Sequence, residues 1–195
     1  MQSKREFGFI VRVLGSRGNT VPVFLGTGML VAPEWVLTCK HVVFEEDPLG
    51  RLTDGPVYNF SVQSGEGTQI SARRPLTDPN WDLALLKLDS NLTADPPPLL
   101  WGITEAQERE LRICPLSAFG YTQVEQTGPL WQHQVKDLLL LPSYREPSGT
   151  LTQIQLRGGI PAGCSGGPVL LPLGAPAGSM RARFTWEGNV RLPPG

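Results

Sequence analysis

The chain has 195 residues, enough for one domain or two small subdomains around a real core. A net charge of -1 gives no electrostatic footprint for nucleic acid or an anionic membrane surface. Many Gly (22) and Pro (19) make it turn-rich, but 40% hydrophobic residues exclude a disordered chain, and apolar runs such as Leu138 to Leu141 are too short to span a bilayer.

In chain order, Met1 to Glu6 is polar and basic, and Gly8, Arg12, Gly15 and Gly18 interrupt the apolar residues after it. No apolar stretch of signal-peptide length forms, so export is not expected. Short apolar runs bounded by Gly, Pro, Asn and Asp then predict strands. They cover Phe7 to Leu14, Val21 to Leu25, Gly28 to Val31, Trp35 to Thr38, Val57 to Val62, Gln69 to Arg73 and Leu83 to Leu88. The stiff Asp95-Pro96-Pro97-Pro98 stretch precedes one predicted helix, Ile103 to Leu111, with Thr104 as its cap and early glutamates. A second set of strands comes next, at Leu116 to Tyr121, Gln132 to Leu141, Leu151 to Leu156 and Val169 to Leu171. After the loop Pro172 to Gly178, the alternation in Met180 to Trp186 is a further strand signal. The simplest reading is all-β: an antiparallel barrel over residues 1–95, a connector with a short helix over 96–112, and a second barrel over 113–195, its end incomplete.

Three cysteines, Cys39, Cys114 and Cys164, cannot all pair within the chain, and none stands in a CxxC. A reduced, cytoplasmic setting fits best and argues against a Cys39–Cys164 disulfide. Two histidines and no metal-spaced Cys/His cluster imply no metal and no cofactor.

Three segments carry chemistry: Thr38-Cys39-Lys40-His41-Val42-Val43, Trp81-Asp82 with the apolar run Leu83 to Leu88, and Gly163-Cys164-Ser165-Gly166-Gly167-Pro168. They place His, Asp and Ser in that order, each in a context suited to acyl transfer. A serine hydroxyl becomes a nucleophile when an imidazole takes its proton and a carboxylate holds the imidazole's tautomer. His41 closes an apolar strand, as a base at a barrel rim would; the alternative is a structural histidine at a strand end. Asp82 leads into an apolar run, so its carboxylate enters the interior and needs a partner that an imidazole N–H supplies. Its alternative is a turn aspartate after Pro79-Asn80, the reading preferred for Asp78. His133, in Trp131-Gln132-His133-Gln134, reads as a surface strand residue.

These blocks, with the strand Gly26-Thr27-Gly28-Met29-Leu30-Val31 before Trp35, resemble the trypsin-like (chymotrypsin-fold) serine peptidases over about residues 8 to 171, nearer the bacterial HtrA-type branch than the digestive enzymes. The resemblance implies two antiparallel β-barrels of the six-stranded type, a triad of His41, Asp82 and Ser165, and an oxyanion hole made by the backbone N–H groups of Gly163 and Ser165. Cys164 is the rival nucleophile, since viral relatives use cysteine, but the family's nucleophile stands immediately before the Gly-Gly-Pro run. Cys164 occupies the place of the aspartate that pairs with a new N-terminus in digestive members, so activation by such cleavage is not expected.

The trypsin branch carries an acidic pocket base six positions before the serine, where this chain has Gly159, and no Asp or Glu occurs from Thr150 to Gly178. A small or apolar residue is therefore expected before the scissile bond. The leading expectation is an intracellular endopeptidase acting on protein or peptide, with no nucleic-acid or membrane partner. The alternatives are an inactive binding or regulatory module on the same fold, and the output domain of a larger sensor with a regulatory protein partner.

Overall fold

The computed structural model describes residues 7–44, 58–73, 75–77, 82–96, 109, 112–113, 116–123, 130–140, 144–145, 151–153, 156–157, 161–170 and 182–184. The first half is one seven-stranded antiparallel sheet in the order β5-β4-β1-β2-β3-β7-β6. Its strands are β1 (Ile10–Arg17), β2 (Val23–Ala32), β3 (Trp35–Thr38), β4 (Tyr58–Gln63), β5 (Gln69–Ala72), β6 (Leu76–Thr77) and β7 (Ala84–Lys87). The sheet curls until its edges meet: Ala72 bridges to Leu88, Arg73 N–H donates to Lys87 O (2.8 Å), and Asp89 N–H donates to Ser71 O (3.0 Å). Closure removes the exposed edge that an open sheet would present.

The runs Val21 to Leu25 and Gly28 to Val31 are one continuous strand, β2, rather than two. The glycines between them do not break it; they admit neighbours. A Cβ on Gly26 would lie 2.8 Å from Val42, and one on Gly28 would lie 2.6 Å from Val36. On the face that lines the barrel interior Val11, Val13, Leu30, Val36, Val62 and Leu86 are fully buried, and Ile10 and Met29 are fully buried on the opposite face. Each such side chain is worth roughly 1.5–3 kcal/mol of burial.

The second half supplies β8 (Leu116–Gln123), β9 (Leu130–Leu140), β10 (Tyr144–Arg145), β11 (Leu151–Gln153), β12 (Leu156–Arg157), β13 (Pro168–Leu170) and β14 (Ala182–Phe184). They form a five-stranded sheet in the order β12-β9-β8-β13-β14 and a two-stranded one, β10-β11. The predicted strand Leu151 to Leu156 divides because its first part pairs with β10 and its end with β9. The strand signal in Met180 to Trp186 appears as β14 beside β13. Of the predicted helix Ile103 to Leu111, only Arg109 is described, and it is helical. Among the described residues no helix is long and apolar enough to cross a membrane.

The halves share a core. Phe119, Tyr121 and Leu170 join the cluster built on the barrel, and Phe7 meets Phe119 edge-on with ring centroids 4.9 Å apart. Tyr121 O–H donates to Ile10 O (3.4 Å), and the Arg12 guanidinium lies 4.5 Å over the Tyr121 ring. This explains why β1 is buried along nearly all its length: it faces the barrel interior on one side and the second half on the other.

Candidate active site

His41 sits on a single helical turn, α1 (Lys40–Val43), that follows β3 directly. Cys39 before it is still extended, with φ -81° and ψ 148°. Val42 and Val43 are buried and anchor the turn, leaving the polar residues Lys40 and His41 at the barrel rim. The predicted strand Trp35 to Thr38 ends where β3 does, and the chain turns into α1 directly after Cys39.

Asp82 reaches His41 through strand register. β3 pairs with β7 from Trp35↔Lys87 to Thr38↔Ala84, and two residues further along this ladder Asp82 stands opposite Lys40. Lys40 N–H donates to Asp82 O (3.2 Å), continuing the pairing past the strand ends. The carboxylate then holds the histidine at two points. Oδ1 accepts from the His41 backbone N–H (2.8 Å), and Oδ2 lies 2.5 Å from the ring Nδ1. The Asp82 side chain is 9% exposed and that of His41 26%. A nearly buried carboxylate facing Nδ1 keeps the ring proton on that nitrogen and leaves Nε2 as the free basic position.

Ser165 comes from the other half, in the loop Pro161–Gly167 that leads into β13. Its backbone O accepts from Thr27 N–H on β2 (3.0 Å), so the turn is sewn to the barrel. Gly163 and Gly166 have φ of 91° and 87°, a region that glycine enters without strain. A side chain could not be added to Gly166 in any case, since its Cβ would lie 2.1 Å from Thr27 O and 2.4 Å from Thr38 Oγ1. No hydrogen bond joins Ser165 Oγ to His41 among the described residues. What brings Ser165 to the histidine's side of the molecule is the contact of Gly166 with Thr27, Thr38 and Cys39.

Both cysteines here are free and buried. Cys164 packs on β8, its Sγ 2.9 Å from where a Gly120 Cβ would be. It fills a space that glycine leaves open and is only 5% exposed, which suits packing rather than attack. Cys39 is fully buried beside the His–Asp pair. Burial first, then the Asp82 carboxylate, push its thiol far up, while the Gly166 N–H at its sulfur pulls the other way. The ligand atoms of Cys39, His41 and Asp82 lie within 4.8 Å of one another, a grouping that could take a metal ion. However, the imidazole and carboxylate already bond each other, and the sulfur faces the Gly166 N–H.

Two residues in this region carried no chemical signal in the sequence: Thr27 and Thr38, both fully buried. Thr27 is set between two glycines in an apolar strand, where a hydroxyl needs a specific partner, and that is the only trace it leaves. Cys114, Asp78 and Gly159 lie outside the described residues, and the side chain of His133 is not described.

A curled antiparallel barrel with almost no helix, sewn to a second set of strands, defines an all-β protein of chymotrypsin-like fold. The profile of the trypsin-like peptidase domain matches residues 26–178, and the chain belongs to that family. No curated protein matches it.

Proposed function

We propose that this trypsin-like peptidase domain is a working serine endopeptidase. Ser165 Oγ attacks the scissile carbonyl, His41 Nε2 takes its proton and later delivers it to the leaving amine, and Asp82 fixes the ring. The N–H groups of Gly163 and Ser165 receive the developing oxyanion. The observation that carries this reading is the two-point hold of Asp82 on His41, through both the backbone N–H and Nδ1. A structural histidine at a strand end needs one partner; a base that must keep one tautomer while its other nitrogen works needs this arrangement. Substrates are protein or peptide segments with a small or apolar residue before the scissile bond, and the setting is reducing and intracellular. The division into residues 1–95, 96–112 and 113–195 and the kinship with the HtrA-type branch belong to the same proposal.

The test is active-site labelling with a fluorophosphonate, followed by peptide mapping. Modification at Ser165, lost in Ser165→Ala, supports the peptidase. A folded protein that neither labels nor cleaves a proteome-derived peptide library overturns it and leaves a binding module on a peptidase fold. Cleavage that persists without fluorophosphonate labelling and is blocked by iodoacetamide through modification at Cys164 would move the nucleophile by one residue.

A further inference from the structure

Resting on that reading, we propose that Thr27 is a positioning residue for catalysis: its hydroxyl locks the peptide between the two oxyanion donors. Oxyanion catalysis needs the N–H groups of Gly163 and Ser165 to point at one place before substrate arrives. The peptide joining residues 163 and 164 lies between those two N–H groups, and it is held at both ends. Its C=O, on Gly163, accepts from Thr27 Oγ1 at 2.7 Å, and its N–H, on Cys164, donates to Pro161 O at 3.2 Å.

The direction of the Thr27 bond is settled by its neighbour. Tyr121 N–H donates to the same oxygen at 2.8 Å, so the hydroxyl proton is left for Gly163 O. Thr27 therefore links three segments, β2, β8 and the turn, through one fully buried hydroxyl. Its own backbone continues the strap: Thr27 N–H donates to Ser165 O at 3.0 Å, and Thr27 O accepts from Thr38 Oγ1 at 2.7 Å. Thr38 is three residues before His41, so the strap ties the turn carrying Ser165 to the strand carrying the base.

This role matters because Cys164 stands beside the nucleophile and carries no charge that could anchor the turn. Something neutral and internal has to hold the Gly163 peptide, and Thr27 Oγ1 is in contact with it. The geometry needs no cleavage event to form, so the turn is set as soon as the two halves pack.

The experiment compares Thr27→Val, which keeps the shape and removes the hydroxyl, with Thr27→Ser, which keeps the hydroxyl. Displacing a reacting group by about 1 Å costs on the order of 100-fold, so kcat in Thr27→Val should fall roughly 10- to 100-fold. The fluorophosphonate labelling rate should fall in parallel, with KM nearly unchanged, and Thr27→Ser should recover most of the loss. Amide exchange gives a readout free of activity: Tyr121 and Cys164 should lose protection in Thr27→Val while Val36, deep in the barrel, keeps it.

An active wild type matched by Thr27→Val overturns the proposal, as do equal losses in the Val and Ser variants or a loss confined to KM. If Thr27→Val does not fold, Thr27→Ala against Thr27→Ser repeats the comparison. Failure of both hydroxyl-free variants to fold also overturns it, since the hydroxyl would then hold the fold rather than the turn. A wild type that never labels, together with loosened Tyr121 and Cys164 amides in Thr27→Val, would sink the peptidase reading and leave the strap standing.

Discussion

His41 and Asp82 are held by the regular ladder of one sheet, whereas Ser165 is held by a loop wedged between β8 of its own half and Thr27 of the other. The pair β3–β7 runs in register from Trp35↔Lys87 to Thr38↔Ala84, and that register alone delivers Asp82 opposite Lys40. The Ser165 turn has no such ladder. It depends on Thr27, Thr38, Tyr121 and two glycines at positive φ. One side of the site is therefore as robust as the barrel, and the other is only as robust as the packing of the halves. Damage to the first should appear in chemistry, and damage to the second in chemistry and folding together.

The largest effect should come from Asp82→Asn. Asn Oδ1 can still accept from the His41 backbone N–H, but its NH2 would face Nδ1 and force the ring proton onto Nε2. Peptide hydrolysis should then drop by about 10⁴-fold while the urea midpoint barely moves. A Ser165→Ala variant measured beside it should be equally inactive and equally stable. A large stability loss in Asp82→Asn would show that the carboxylate serves the fold instead.

Gly166→Ala attacks the loop side. Its Cβ would meet Thr27 O at 2.1 Å in a backbone region that alanine disfavours, so the turn must leave the barrel. A stability loss of at least about 3 kcal/mol is expected, together with loss of fluorophosphonate labelling. Labelling at the wild-type rate in a folded Gly166→Ala protein would show that the turn is more adaptable than its contacts imply. Leu86→Ala sharpens the contrast from within the barrel. It should cost roughly 2–5 kcal/mol in urea, with kcat unchanged in the fraction that stays folded.

The smallest effect concerns Cys39. Its thiol is pushed far above its ordinary value of 9.0, chiefly by burial, so the folded state keeps it protonated where the unfolded chain ionises. This contribution to stability is whole below about pH 9 and is lost as pH rises further, at about 1.4 kcal/mol per unit. Urea titrations at pH 8, 9 and 10 should show that decline, and Cys39→Ala should flatten it. Iodoacetamide at pH 8 should leave native Cys39 unmodified; rapid modification would contradict its burial.

Much of the fold was legible because the barrel strands follow alternation and punctuation. Trp35 to Thr38 begins and ends where β3 does, and Leu83 to Leu88 brackets β7 by one residue at each end. The reading failed where glycine had two meanings. At Gly26 and Gly28 it marks space for Val42 and Val36 inside one strand, which composition cannot separate from a turn. It also passed over α1, because one turn of helix is too short to show a period.

The identity and order of the proposed triad lie in the sequence alone: His41 after an apolar strand, Asp82 before one, Ser165 among glycines. Local chemistry determines that, since each needs only its immediate neighbours to be recognisable. The hold of Asp82 on two nitrogens of His41, the elevation of the Cys39 thiol and the strap from Thr27 to Gly163 were decided only by tertiary structure. Each depends on atoms 41 or more residues apart meeting within hydrogen-bonding range or sharing a buried volume, as with the 136 residues between Thr27 and Gly163. A buried hydroxyl has one meaning within its own strand and another where it bonds the Gly163 carbonyl, and only packing chooses between them.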